Sequence, residues 1–199
     1  MTEIKFLYDF GSPKAYFVHK LLPKVAKKHH AKILWMPILL GGVFKLTNNQ
    51  SPIEAFKGVK GKLSYDGHET DRFVKRHKLP FKPNPHFPVM TIGVMRGAIY
   101  AQDKDFASLY TDTIFTAMWE DEKKMDSPDV VEEVLHKAGL PAREIMEAMQ
   151  KPDVKAQLIE ATNNAVSRNV FGAPTMFIGQ EMFFGKEGIS EIDFYLSDN

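Results

Sequence analysis

A single hydroxyl stands where the first apolar run of the chain gives way to an amphipathic one. In Y-D-F-G-S-P-K-A-Y-F, residues 8–17, Ser12 follows Gly11 and precedes Pro13. The apolar run reads as a strand and the amphipathic one as a helix. Ser12 then falls where the first-turn N–H groups lack backbone partners and where the helix dipole favours negative charge. A hydroxyl there caps the helix or holds an anion in an active site, and the motif by itself allows both. The chain contains no cysteine. It forms no disulfide, no thiolate metal site and no cysteine nucleophile of its own, so any thiol chemistry needs a thiol from outside.

Other polar residues are weaker candidates. Lys186 and Glu187 follow Gly185 where a last helix should open. Asn49 and Lys62 lie in a polar stretch that reads as solvated surface. Asn84 and His86 sit in F-K-P-N-P-H-F-P, residues 81–88, an ordered but irregular loop with three prolines. A loop histidine is more often structural or solvated than catalytic. Pro174, after Gly172 and Ala173, could simply begin a strand. The histidines show no ligand spacing with carboxylates, so no metal is expected.

The elements that must position these residues follow from apolar spacing. Residues 4–10 (I-K-F-L-Y-D-F) predict a buried strand. Pro13 sits at the first helical position, with an apolar stripe at Phe17, Val18, Leu21, Leu22 and Val25; Pro23 should interrupt and kink that helix. Residues 32–37 (K-I-L-W-M-P) predict a second strand, parallel to the first. From about 44 to 171 strand patterns vanish and helix punctuation repeats at Ser127-Pro128, Gly139, Pro141 and Pro152. Residues 106–118 have helical spacing and should pack inside this block. After Gly172, residues 175–178 and 182–184 flank Gly179-Gln180 as a hairpin, and 187–196 read as a closing helix. Residues 1–43 and 172–199 should form one α/β domain, with 44–171 a helical insertion.

Composition narrows the partners. A formal net charge of +1 gives no reason to expect nucleic acid or an acidic membrane. No apolar run approaches the roughly 20 residues of a membrane span; the nearest, 33–44, is broken by Pro37 and Gly41-Gly42. The N-terminus lacks a signal-peptide pattern, so a cytoplasmic protein is expected.

The order β-α-β, helical block, β-β-α, with a tip motif after the first strand and a proline before the third, resembles the thioredoxin fold, and its long insertion resembles the DsbA-like branch. Where redox members carry C-x-x-C, this chain reads Ser12-Pro13-Lys14-Ala15. That is similar to kappa-class glutathione transferases and to the related 2-hydroxychromene-2-carboxylate isomerases. D-F-G-S-P-K-A-Y-F (9–17), N-P-H-F-P (84–88), F-G-A-P-T-M-F (171–177) and F-F-G-K-E (183–187) resemble the isomerase group in particular.

The resemblance implies a bound glutathione with its sulfur against Ser12, a cis Ala173–Pro174 bond, and pairing of the Ala173 backbone with the cysteinyl unit. It implies that Asn49 and Lys62, the latter in a K-x-x-Y pattern, reach the glutathione carboxylates. Lys186-Glu187 would border the γ-glutamyl end, Glu187 replacing the family's usual aspartate, and Asn84 and His86 would border a small aromatic substrate. It implies a homodimer, and a reversible thiolate addition that isomerises 2-hydroxychromene-2-carboxylate to trans-o-hydroxybenzylidenepyruvate. The chemistry suits the tip: the dipole and a hydroxyl donor both lower a thiol's pKa, and a shift of one to two units needs only about 1.4–2.7 kcal/mol. A kappa-like transferase or peroxidase, and a thioredoxin-like module that only binds, are the alternatives.

Overall fold

Residues 1–198 are described by the computed structural model. β1 (Glu3–Tyr8) is rich in apolar residues because it is covered on both faces. Ile4, Phe6 and Tyr8 belong to the larger apolar cluster, whereas Leu7 faces a smaller one with Ile38, Val43, Ala165, Val170 and Phe177. α1 (Pro13–Lys28) starts where Ser12 caps it and Pro13 supplies a preformed first turn. The helix continues through the exposed Pro23 rather than breaking there. β2 (Lys32–Pro37) pairs parallel to β1 in the register Phe6 to Trp35.

Eight helices separate β2 from the next strand: α2 (Leu40–Thr47), α3 (Pro52–Phe56), α4 (Lys62–His77), α5 (Ile92–Ala101), α6 (Ala107–Trp119), α7 (Pro128–Lys137), α8 (Ala142–Ala148) and α9 (Pro152–Ser167). α2 runs through Gly41-Gly42, so residue 43, the expected end of the first segment, lies inside a helix. Packing explains it: Gly42 lets α9 approach, with Thr162 where a Cβ would stand at 3.1 Å, and this contact overrides poor helix propensity. α6 lies inside the block, its Tyr110, Ile114, Phe115 and Met118 buried. Gly97 of α5 permits its contact with α6, since a Cβ there would stand 2.1 Å from the Tyr110 hydroxyl.

β3 (Thr175–Ile178) and β4 (Glu181–Phe184) form the expected hairpin, and α10 (Gly188–Asp198) closes the described chain. The sheet order is β2-β1-β3-β4, with β3 antiparallel to both β1 and β4. This is a thioredoxin-like α/β fold with a helical insertion. β1 ends at Tyr8, two residues before the expected end, because Asp9 turns the chain: its Oδ1 accepts from Gly11 N at 2.8 Å.

Candidate active site

The β1–α1 tip is held from beneath by a carboxylate. Asp9 is 1% exposed; its Oδ1 also accepts from the Thr91 hydroxyl at 2.7 Å and its Oδ2 accepts from Leu40 N at 2.8 Å. One side chain thereby joins the tip, the first residue of α2 and the residue capping α5. Burial pushes the Asp9 carboxyl above the usual range, with the three donors pulling the other way. Gly11 sits close against Thr91, whose Cγ2 would lie 3.2 Å from an added Cβ.

On this platform Ser12 is 6% exposed and extended, φ −96° and ψ 114°. Its Oγ accepts from Ala15 N at 3.2 Å, which is the N-cap, and donates to Ala173 O at 3.0 Å. The Ala173–Pro174 peptide is cis. Pro174 O accepts from Gly185 N at 3.0 Å, so this loop touches the tip on one side and the turn into α10 on the other. Asn49 joins the same loop two residues before Ala173, its Nδ2 donating to Phe171 O at 2.8 Å. Ser12, Asn49, Ala173 and Pro174 are thus brought together.

Lys186 and Glu187 adjoin the group through Gly185. Lys186 is 4% exposed, and its ammonium bonds Glu69 of α4 at 2.7 Å, bonds Glu187, and lies 4.8 Å from the Phe73 ring centroid. Burial opposes its charge, but the two carboxylates outweigh burial and hold its pKa above the ordinary lysine range. Glu187 is lowered in return: burial raises it, and the Lys186 hydrogen bond, a backbone hydrogen bond and the charges of Lys186 and Lys14 together outweigh that. An ammonium already bonded by two carboxylates acts here as a brace between α4 and the start of α10.

Lys62, at the first position of α4, bonds Asp66 one turn on and lies 5.1 Å from the Phe56 ring centroid; none of its contacts among the described residues reaches Ser12 or Ala173. Asn84 is 5% exposed and turned inward. Its Nδ2 donates to Met118 O at 2.8 Å and Lys123 O at 2.9 Å, while its Oδ1 accepts from His86 N at 2.8 Å. Its amide fastens the proline-rich loop to the end of α6, leaving the His86 side chain exposed. Trp119 links the loop to the tip, its ring tilted against Phe87 at 5.8 Å between centroids and its Nε1 donating to Phe10 O at 2.8 Å.

Asp9 and Thr91 are the site residues that sequence reasoning missed. The D-F-G spacing at 9–11 carries a local signal, an aspartate able to bond the backbone two residues on.

A hydroxyl at a helix N-terminus, facing the backbone carbonyl before a cis proline, is the layout of a thioredoxin-type tip with serine in place of cysteine. The DSBA-like thioredoxin domain model matches residues 3–197, and the chain belongs to that family. Within it, the chain is similar to a 2-hydroxychromene-2-carboxylate isomerase of Pseudomonas putida, 28% identical over 186 residues, 92% of this chain and 89% of that protein. An isomerase of the same name from Sphingobium xenophagum is 24% identical over 199 residues and spans both chains in full. A solved 2-hydroxychromene-2-carboxylate isomerase structure superposes with a TM-score of 0.86 at 24% identity, covering 98% of this chain and 95% of that one.

Proposed function

We propose that the protein is a glutathione-dependent isomerase acting on 2-hydroxychromene-2-carboxylate or a related aromatic compound. The observation that carries this reading is the Ser12 hydroxyl, fixed against Ala173 at the head of α1 in a chain without cysteine. Two curated relatives carrying the isomerase name at near full-length coverage support the choice of reaction.

The donor set fits a thiol tripeptide. Ser12 offers one O–H, the Ala173 backbone beside it offers a carbonyl, and the Lys186, Glu69 and Glu187 cluster borders the turn that Pro174 O bonds. Glutathione, when bound, supplies a thiolate that adds reversibly to the conjugated carbon of the ring-opened substrate and leaves after rotation about the resulting single bond. Ser12 turns its O–H from the Ala173 carbonyl toward the sulfur, while its oxygen continues to accept from Ala15 N and keeps the helix capped. The first turn of α1 favours the negative charge at that point. Glu187 is the acidic group for the γ-glutamyl ammonium, and Asn49, bonded to Phe171 O, lies against the Ala173–Pro174 loop for the peptide's polar groups. Lys186 braces Glu187 rather than bonding the cofactor itself, and His86 faces the second substrate from its exposed loop. The reading carries with it a homodimer, which sedimentation of the purified protein checks, and a cytoplasmic location, which fractionation of cells checks.

The test is an absorbance assay on 2-hydroxychromene-2-carboxylate with glutathione far below the substrate concentration, following free thiol in parallel. Many turnovers per glutathione with thiol unchanged are expected. Thiol lost in step with product would instead make the protein a transferase, and no spectral change would remove this substrate.

A further inference from the structure

We propose that the outer face of α3 and the start of α4 is where a second copy of this chain docks. α3 buries no residue, and neither does α4 along its sixteen residues. Near the far end of α4, Phe73 and Val74 are half-covered by the larger apolar cluster, with the Phe73 ring centroid 5.3 Å from that of Phe17. The stretch leading into α4 is apolar and uncovered: Leu46, Ile53, Phe56, Val59 and Leu63 are each between 36% and 53% exposed. The band continues onto the sheet. Asn49, between Leu46 and Ile53, bonds Phe171 O, and the Phe171 ring lies 4.6 Å from that of Phe184 on β4, which is an edge strand. Phe171, Met182 and Phe184 are 37–43% exposed. Packing of an apolar face, more than propensity, stabilises helices in proteins, and one as short as α3 is marginal in water without it. These residues lack that cover within their own chain.

Size and charge name the occupant. Eight such side chains, on residues of about 150–250 Å² each, present roughly 600–700 Å² of apolar surface. The largest apolar patch of a typical monomer is about 300–600 Å². A stable interface takes about 800 Å² from each partner, and between identical chains about 65% of it is apolar. The band is therefore large enough to supply the apolar part of one half of a dimer. Its charges are of both signs and largely paired within the chain, Lys57 with Glu54 and Lys62 with Asp66. A face of one sign would repel its own copy, whereas this one meets an identical face without such a field. Lys45 and Lys60 are exposed and have stems long enough to keep their ammonium groups in water at the rim. Elsewhere the strongly exposed apolar residues stand apart, Met90 in a loop, Leu109 on α6, Ile159 on α9 and Phe194 on α10. Scattered residues of that kind are ordinary on a monomer.

Docking at this face does not depend on the reaction, so sedimentation tests it apart from turnover. The full chain is compared over a range of micromolar concentrations as wild type, Phe56→Glu, Val59→Glu and Phe194→Glu. Wild type should sediment as a dimer. A carboxylate set against an apolar partner should raise the dissociation constant at least about 100-fold in Phe56→Glu and Val59→Glu. Phe194→Glu, on another part of the surface, should dimerise as wild type does. The absence of cysteine gives a second readout that inserts no charge. Val59→Cys carries one thiol, which should react with a maleimide more slowly at concentrations where the protein is dimeric, while the thiol of Leu109→Cys reacts at one rate throughout. A wild type that stays monomeric overturns the proposal. So does a dimer that Phe56→Glu and Val59→Glu leave as tight as wild type, or one in which the thiol at position 59 is never protected; either leaves the isomerase reading intact. A dimer that these two substitutions split, but that turns over no chromene, upholds the interface and removes the isomerase reading instead.

Discussion

The Ser12 hydroxyl and the carbonyl of Ala173 are hydrogen-bonded at 3.0 Å across 161 residues of sequence. This one bond ties the head of α1 to the loop that enters β3, the two pieces of the α/β domain separated by the helical block. The Ser12 oxygen also accepts from Ala15 N. Capping uses a lone pair and bridging uses the proton. The proton can therefore be redirected to a ligand without uncapping the helix.

Removing the hydroxyl should cost stability as well as activity. Ser12→Ala loses a cap, worth about 0.5–2 kcal/mol, and a bridging bond of about 0.5–1.5 kcal/mol. Urea unfolding should show a loss of about 1–3 kcal/mol with an unchanged slope. A variant as stable as wild type would mean that the Ala173 contact contributes nothing.

Asp9 should tolerate even a conservative change poorly. Asparagine presents one acceptor oxygen where the carboxylate uses two, so its amide N–H faces a backbone donor at Gly11 or Leu40. Leaving one such buried group unpaired costs about 1–3 kcal/mol. Asp9→Asn should unfold earlier in urea by that amount. Because the tip, α2 and α5 all lose register with it, amide exchange should quicken at Gly11 and Leu40 together; protection lost at only one of them would contradict the shared-anchor role.

A pH dependence follows from His19 of α1. Burial lowers its pKa, against the opposing pull of Asp112, which its Nε2 meets at 2.9 Å. Its Nδ1 is buried without a partner, and its ring stacks on Phe115 at 4.8 Å. Protonating Nδ1 in the folded state finds no acceptor, so the unfolded chain takes up the proton first. A base with a lowered folded pKa contributes stability above its unfolded value near 6.5 and loses it as the pH falls below that. The melting temperature should drop between about pH 7 and pH 5, and His19→Gln should flatten that drop. Parallel curves for the two proteins would sink the assignment.

Legibility in the sequence divided along a physical line. The β1–α1 junction, the Ser12 cap, the parallel β2, the β3–β4 hairpin and the helices opened by Pro128 and Pro152 all come from local periodicity and turn chemistry, and these are where the structure has them. α2 was hidden because Gly41-Gly42 breaks the local pattern and only the contact with α9 repays it. Asp9 was hidden because two of its partners, Leu40 and Thr91, lie 31 and 82 positions away. Periodicity carries no information about such pairings. Asn84 sits in a segment that reads as an exposed loop, yet Met118 and Lys123 draw its amide inside. Lys62 and Asp66 are an i,i+4 pair visible in the sequence, and the structure gives that ammonium to the helix partner.

The most direct test of the account compares wild type and Ser12→Ala in turnover of 2-hydroxychromene-2-carboxylate at saturating glutathione, with glutathione affinity measured alongside. Losing a hydroxyl that stabilises the reacting anion should lower turnover by roughly 10²–10³-fold, the range seen when one oxyanion donor is removed, with only a several-fold change in affinity. Turnover within a few-fold of wild type, or a wild-type rate indifferent to glutathione, would contradict the claim that a thiol held at Ser12 does the chemistry.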